Sequence, residues 1–75
     1  MSVIQINEIV RVTNPSHDKL GMQGVVRGAF VVDGEILSYA VQFAQDEELI
    51  DPEDIEQTGN SISEADFENG LLPPA

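Results

Sequence analysis

The chain has 75 residues, no cysteine and a formal net charge of −11, from 14 acids against three bases. A chain this short supports one small domain, since its apolar residues cannot be divided between two cores. The absence of cysteine excludes disulfides and thiolate metal sites, and the acidity disfavours binding to a phosphate backbone or an anionic lipid surface. Apolar residues make up 41% of the chain and aromatics only 5%, so Val, Ile and Leu must fill the core around Phe30, Tyr39 and Phe43. The opening MSVIQINEIV has no basic region, long apolar run or small-residue cleavage site. It therefore reads as neither signal peptide nor membrane span, and a cytoplasmic, soluble protein is expected.

In chain order, EIVRVT (Glu8 to Thr13) alternates with a period of two and predicts a strand with Val10 and Val12 facing the core. NPSHDKLGMQG (Asn14 to Gly24) holds a turn-forming Asn-Pro pair and shows no apolar period, so it reads as a long surface loop. RGAFVVDGEILSYAVQF (Arg27 to Phe43) then places Asp33-Gly34 between two apolar runs, the pattern of a tight hairpin whose central positions both take positive φ. Counting outward from that turn pairs Val32 with Glu35, Phe30 with Leu37, Gly28 with Tyr39, Val26 with Val41 and Gly24 with Phe43 on one face. Val31 with Ile36, Ala29 with Ser38, Arg27 with Ala40 and Val25 with Gln42 fall on the other. The pairing of Gly28 with Tyr39 suggests a ring laid over bare backbone at a strand bend.

AQDEELIDPEDIEQTG (Ala44 to Gly59) predicts a short strand at Glu48 to Ile50, one helical turn at Pro52 to Asp54 and a last strand at Ile55 to Gln57. A strand, a long loop, a hairpin and two short strands around a helical turn is the element order of a five-stranded SH3-like barrel. The expected fold is thus mainly β, with the barrel over residues 1–59. Residues 60–75 form an acidic C-terminal extension in which Ser63 caps one helical turn, Phe67 anchors it, and disorder is expected beyond Gly70.

The search for chemistry returns no catalytic constellation. The acids from Asp46 to Glu68 do not follow a calcium-loop pattern, because Leu49, Ile50 and Pro52 interrupt it. The single imidazole, His17, has neither a cysteine nor a second histidine to work with, and its neighbour Ser16 lacks an orienting third group. Gly21, Gly24 and Gly28 precede no helix that could present its N-terminus to phosphate. Aromatic residues interleaved with bases, as in readers of single-stranded nucleic acid, are missing. No enzyme activity, cofactor or metal is expected.

The order EIVRVT, GMQGVVRG, DGEILSYAVQF, DPEDIEQTG and SEADFENG resembles a small bacterial family of immunity proteins of polymorphic toxin systems, immunity family thirty-one. The matching features are Gly21, Gly24, Val25 and Val26 before the hairpin, Tyr39 and Val41 in its second strand, Thr58-Gly59, and Asp66-Phe67 closed by Gly70. The resemblance spans residues 8 to 70. It implies a non-enzymatic protein that binds a toxin and blocks it, and an acidic inhibitor suits a basic toxin domain. The expected contact surface is the acidic run with Asp46, Glu47, Glu48, Asp51, Glu53 and Asp54, anchored by Val31 and Ile36 at the hairpin tip. The alternative is an accessory or regulatory subunit docking on a larger protein complex. Either protein would be a monomer or weak homodimer with no nucleic-acid or membrane partner.

Overall fold

A computed structural model describes residues 3–70. Five antiparallel strands form one sheet in the order β4-β3-β2-β1-β5, where β1 is Glu8–Val12, β2 Gln23–Val32, β3 Glu35–Gln42, β4 Glu47–Ile50 and β5 Ile55–Ser61. A 3-10 turn at Pro52–Asp54 joins β4 to β5, and α1, Glu64–Glu68, follows β5. The mainly β architecture matches expectation, but closure into a barrel is not seen. Among the described residues β4 pairs only with β3 and β5 only with β1, so both remain edge strands. The expected disorder beyond Gly70 concerns residues 71–75, which lie outside the described residues.

The turn at Asp33-Gly34 has φ of 53° and 80°, the left-handed pair that a two-residue hairpin turn requires. Val32 faces Glu35 and Val31 faces Ile36, as counted from the turn. The count then slips. Leu37 has no partner, so Phe30 faces Ser38, Ala29 faces Tyr39 and Gly28 faces Ala40. Arg27 is skipped in its turn, which restores Val26 opposite Val41 and Val25 opposite Gln42. One bulge on each strand thus cancels the other, and only the middle of the hairpin departs from the simple count.

Those bulges decide what is buried. The core cluster holds Val10, Val12, Val26, Tyr39, Val41, Phe43, Ile50 and Ile55, with Ile4, Met22 and Ile36 packed against it. Phe30 and Leu37, which an unbroken alternation would turn inward, are 58% and 50% exposed. The bulge at Arg27 offsets the alternation on β2 by one residue and presents Phe30 to solvent, Leu37 is itself the unpaired bulge residue, and on β3 Tyr39 keeps its place in the core. Val25 is fully buried although its neighbour Val26 belongs to the core face, so the sheet is covered at that point on its second face too.

The predicted role of Gly28 is corrected for the same reason. A Cβ at Gly28 would meet nothing within 4 Å, because the residue faces Ala40 and not Tyr39. Gly24 is the position that needs glycine: a Cβ there would lie 2.6 Å from Val41 Cγ1, 3.0 Å from the Gln42 carbonyl oxygen and 3.1 Å from Phe43 Cδ1. The β5 strand runs four residues beyond its predicted end at Gln57. A register shift in its ladder with β1 is accommodated by Gly59 at φ 86°, and Thr58 Oγ1 donates to the Ile9 carbonyl at 2.8 Å across that shift.

Gly24→Val is expected to lower unfolding free energy by about 1–3 kcal/mol through overpacking, whereas Gly28→Ala stays within about 0.5 kcal/mol of wild type. Urea denaturation midpoints of the two variants check this, and equal losses would contradict the observed register.

Candidate functional site

The far half of the hairpin leaves the body of the sheet as a two-stranded arm. The β1–β2 ladder covers only Gln23 to Val25 on β2, and β4 faces only Tyr39 to Gln42 on β3. Beyond those points Gly28 to Val32 and Glu35 to Ser38 pair with each other alone. The arm carries Phe30, Val31, Val32 and Leu37, each between 45% and 58% exposed. Isolated singly on a surface such residues would mean little, but four on one short ribbon, with Phe30 and Val32 on the opposite face from Val31, concentrate apolar surface there. Val31 is 54% exposed, while Ile36, its direct cross-strand partner, is half-buried against the core.

Beneath the arm lies an open groove of about 690 Å³. Val3, Ile4, Ile36, Tyr39, Pro52 and Ile55 supply apolar walls, and Glu35, Glu56 and Gln57 supply the polar ones. Tyr39 is 96% buried, and its hydroxyl accepts a long hydrogen bond from the Ile4 amide at 3.4 Å.

Each of the three cations is held in an ion pair. Arg11 meets Glu56 at 3.5 Å, Lys19 meets Asp46 at 3.2 Å and Glu48 at 3.8 Å, and Arg27 meets Glu64 at 3.1 Å. This sorts the acidic run that the sequence singled out. Asp46 and Glu48 hold Lys19, which tethers the loop of residues 13–22 to β4; the Asp46 hydrogen bond is the main cause of the raised Lys19 pKa. Asp54 accepts from the Asn14 side chain at 3.1 Å through Oδ1 and from the Thr13 amide at 2.8 Å through its carbonyl. Asp51 and Glu53 are exposed on either side of Pro52, and Glu47 is exposed at the start of β4. The predicted acids therefore divide into three that fasten loops and three that face solvent.

His17, Asp18 and Glu48 bring one potential ligand atom each to within 4.8 Å of one another. His17 Nδ1, however, accepts the Lys19 amide hydrogen at 3.0 Å, and the Lys19 ammonium already stands before Glu48. That ammonium already supplies positive charge beside the Glu48 carboxylate.

Sequence reasoning missed the cluster around Arg27. Its guanidinium lies 3.8 Å over the Phe67 ring and donates through Nη1 and Nη2 to the two Glu64 carboxylate oxygens, each at 3.1 Å. Asn7, at φ 76°, donates from Nδ2 to Glu64 Oε1 at 3.0 Å and accepts from Arg27 Nη1; its amide donates to the Val26 carbonyl at 2.8 Å. Ser63 caps α1 as expected, accepting from the Asp66 amide at 3.1 Å. Arg27 is the residue skipped by the β2 bulge, so the same irregularity that exposes Phe30 also aims the guanidinium at α1. A count of alternation contains no sign of that.

No family model, curated protein or solved structure matches the chain. Among the described residues no helix is long and apolar enough to cross a membrane.

The Arg27 clamp has a definite pH sign. Hydrogen bonds from Arg27 first and Asn7 second hold the Glu64 carboxyl below its ordinary value of 4.5. A depressed carboxyl contributes stability above its unfolded pKa and loses it as pH falls through the folded one. The amide signals of α1 are therefore expected to broaden or shift on acidification below that ordinary value. Glu64→Gln should show a loosened α1 at neutral pH without that step. An acid transition of α1 that is unchanged in Glu64→Gln would remove Glu64 as its origin.

Proposed function

We propose that this protein is a non-enzymatic protein-binding module on an SH3-like β scaffold, and that it acts as an immunity protein which binds a basic toxin domain and blocks it. The observation that carries the reading is the pairing of an exposed apolar arm, Phe30, Val31, Val32 and Leu37, with a surface whose cations are all engaged by its own acids. Apolar side chains at the centre of a contact supply most of its affinity, and surrounding charge supplies rate and choice of partner. An inhibitor needs both and needs no reactive group. The element order, with a 3-10 turn between the fourth and fifth strands, supports the SH3-like assignment.

Within this reading Val31 is the outward anchor, and Asp51, Glu53 and Glu47 are the steering charges. Asp46, Glu48 and Asp54 fasten loops and support the surface from behind. The second reading, an accessory subunit on a larger complex, rests on the same arm and differs only in what the partner does.

Co-purification from the host followed by a growth assay separates the two. The expected result is a basic protein that co-purifies with the chain, arrests growth when expressed alone, and is neutralised by co-expression. A partner that leaves growth unaffected would replace the inhibitor with the accessory role. Phe30→Ser with Val31→Ser should abolish capture while leaving stability within about 0.5 kcal/mol for each exposed site. Asp51→Lys with Glu53→Lys should slow association on the order of tenfold at low salt and matter less at high salt. Retained capture by the arm variant would exclude the arm as the contact.

A further inference from the structure

Main-chain hydrogen bonding in β3 stops halfway along its outer edge. From Tyr39 to Gln42 that edge is taken by β4, which is only four residues long. From Glu35 to Ser38 it has no strand partner among the described residues, and the chain leaves β4 for Asp51 and the 3-10 turn instead of continuing alongside. The groove opens at this point, lined by Glu35 and Ile36 of the hairpin, by Val3 and Ile4, and by Pro52 and Ile55. An unpaired strand edge beside an apolar trough is the arrangement to which an extended segment adds.

We propose that this groove receives an extended segment of a protein partner, paired through its main chain to Glu35–Ser38 and bearing alternating apolar and cationic side chains. The inference rests on the reading of the protein as a binding module and assigns it a second contact, separate from the apolar outer surface of the arm. The alternation follows from the walls. Side chains on one face of the incoming strand meet the lining of Ile4, Ile36 and Pro52, behind which Tyr39 and Ile55 are buried, while those on the other meet solvent beside Glu35, which lines the groove, and near Asp51 and Glu53, which flank Pro52 in the chain. Lysine or arginine is favoured at the outer positions because Glu35, Asp51 and Glu53 are exposed and none of them is in an ion pair with Arg11, Lys19 or Arg27. A second copy of the chain is a poor occupant, since it brings a net charge of −11 to the same rim.

The test uses the whole chain, isotopically labelled, and a short synthetic peptide alternating lysine and valine. Two control peptides carry glutamate for lysine, or N-methyl groups on alternate backbone amides. Saturable shifts of the Glu35 to Ser38 amides and of Tyr39 and Ile55 are expected, with no binding by either control. Glu35→Lys should weaken the peptide about tenfold, while Phe30→Ser with Val31→Ser leaves it unchanged. Equal binding by the N-methylated peptide, shifts confined to the Asp46 to Asp54 run, or no saturable binding would each overturn the proposal. Loss of partner capture in the arm variant with peptide binding intact supports both contacts. Peptide binding by a chain that captures no partner at all would count against the inhibitor reading and leave the groove standing.

Discussion

With φ of 53° at Asp33 and 80° at Gly34, the tight turn leaves Val32 a single partner, Glu35, and every later pairing along β2 and β3 is counted from it. A slip of one residue would exchange the two faces of both strands at once. The protein uses such a slip in a controlled form. A bulge at Leu37 introduces the offset and a bulge at Arg27 removes it, so that Val26 and Val41 return to register over the core. Close to the body the faces are sorted for packing. Past Arg27 the faces of β2 are exchanged and Phe30 faces water, while Tyr39 on β3 keeps its place in the core.

Electrostatics reinforces that division. Three bases serve fourteen acids, and each base fixes a segment that the thin core cannot hold alone. Lys19 fastens the long loop to β4, Arg11 spans β1 and β5, and Arg27 clamps α1 through Glu64 and the Phe67 ring. The exposed pairs among these contribute little individually, since solvent screens them. Arg27 differs because it forms a bidentate pair, a ring stack and a bond to Asn7 together. With its bases committed in this way, the protein presents carboxylates such as Asp33, Glu35, Asp51 and Glu53 at its surface.

Much of this was legible in the sequence because local chemistry dictates it. Asp-Gly readily supplies the two positive φ values of the turn observed, the Val10 and Val12 alternation admits one inward face, and Pro52 after Asp51 opens the 3-10 turn. Ser63 reads as an N-cap for the same reason. What escaped depends on contacts distant in sequence. Nothing near Leu37 marks it as a bulge, since its exposure follows from how β2 and β3 meet β1 and β4. An unbroken count places the tight glycine at position 28, whereas Gly24, close to Val41 and Phe43, carries the constraint. Asn7 gave no signal either: its left-handed backbone and its bonds to Glu64 and Arg27 link positions 57 and 20 residues away. Among the acids, Lys19 could choose Asp46 and Glu48 only once the loop had been placed.

An apolar ribbon with unpaired edges is ordinarily a hazard, because identical copies can pair through it. Here the hazard is countered by charge placed at the ribbon itself. Asp33 occupies the tip and Glu35 begins the return strand, so two arms approaching each other bring like charges together before their apolar faces touch. Short-range apolar attraction acts within a few ångströms, whereas repulsion between acidic surfaces extends over about 8–10 Å at moderate salt. Like-charge repulsion between two copies therefore sets in before their apolar side chains can meet. The same acidity that keeps the chain soluble thus also opposes edge-to-edge pairing of the exposed Phe30, Val31, Val32 and Leu37 between like copies.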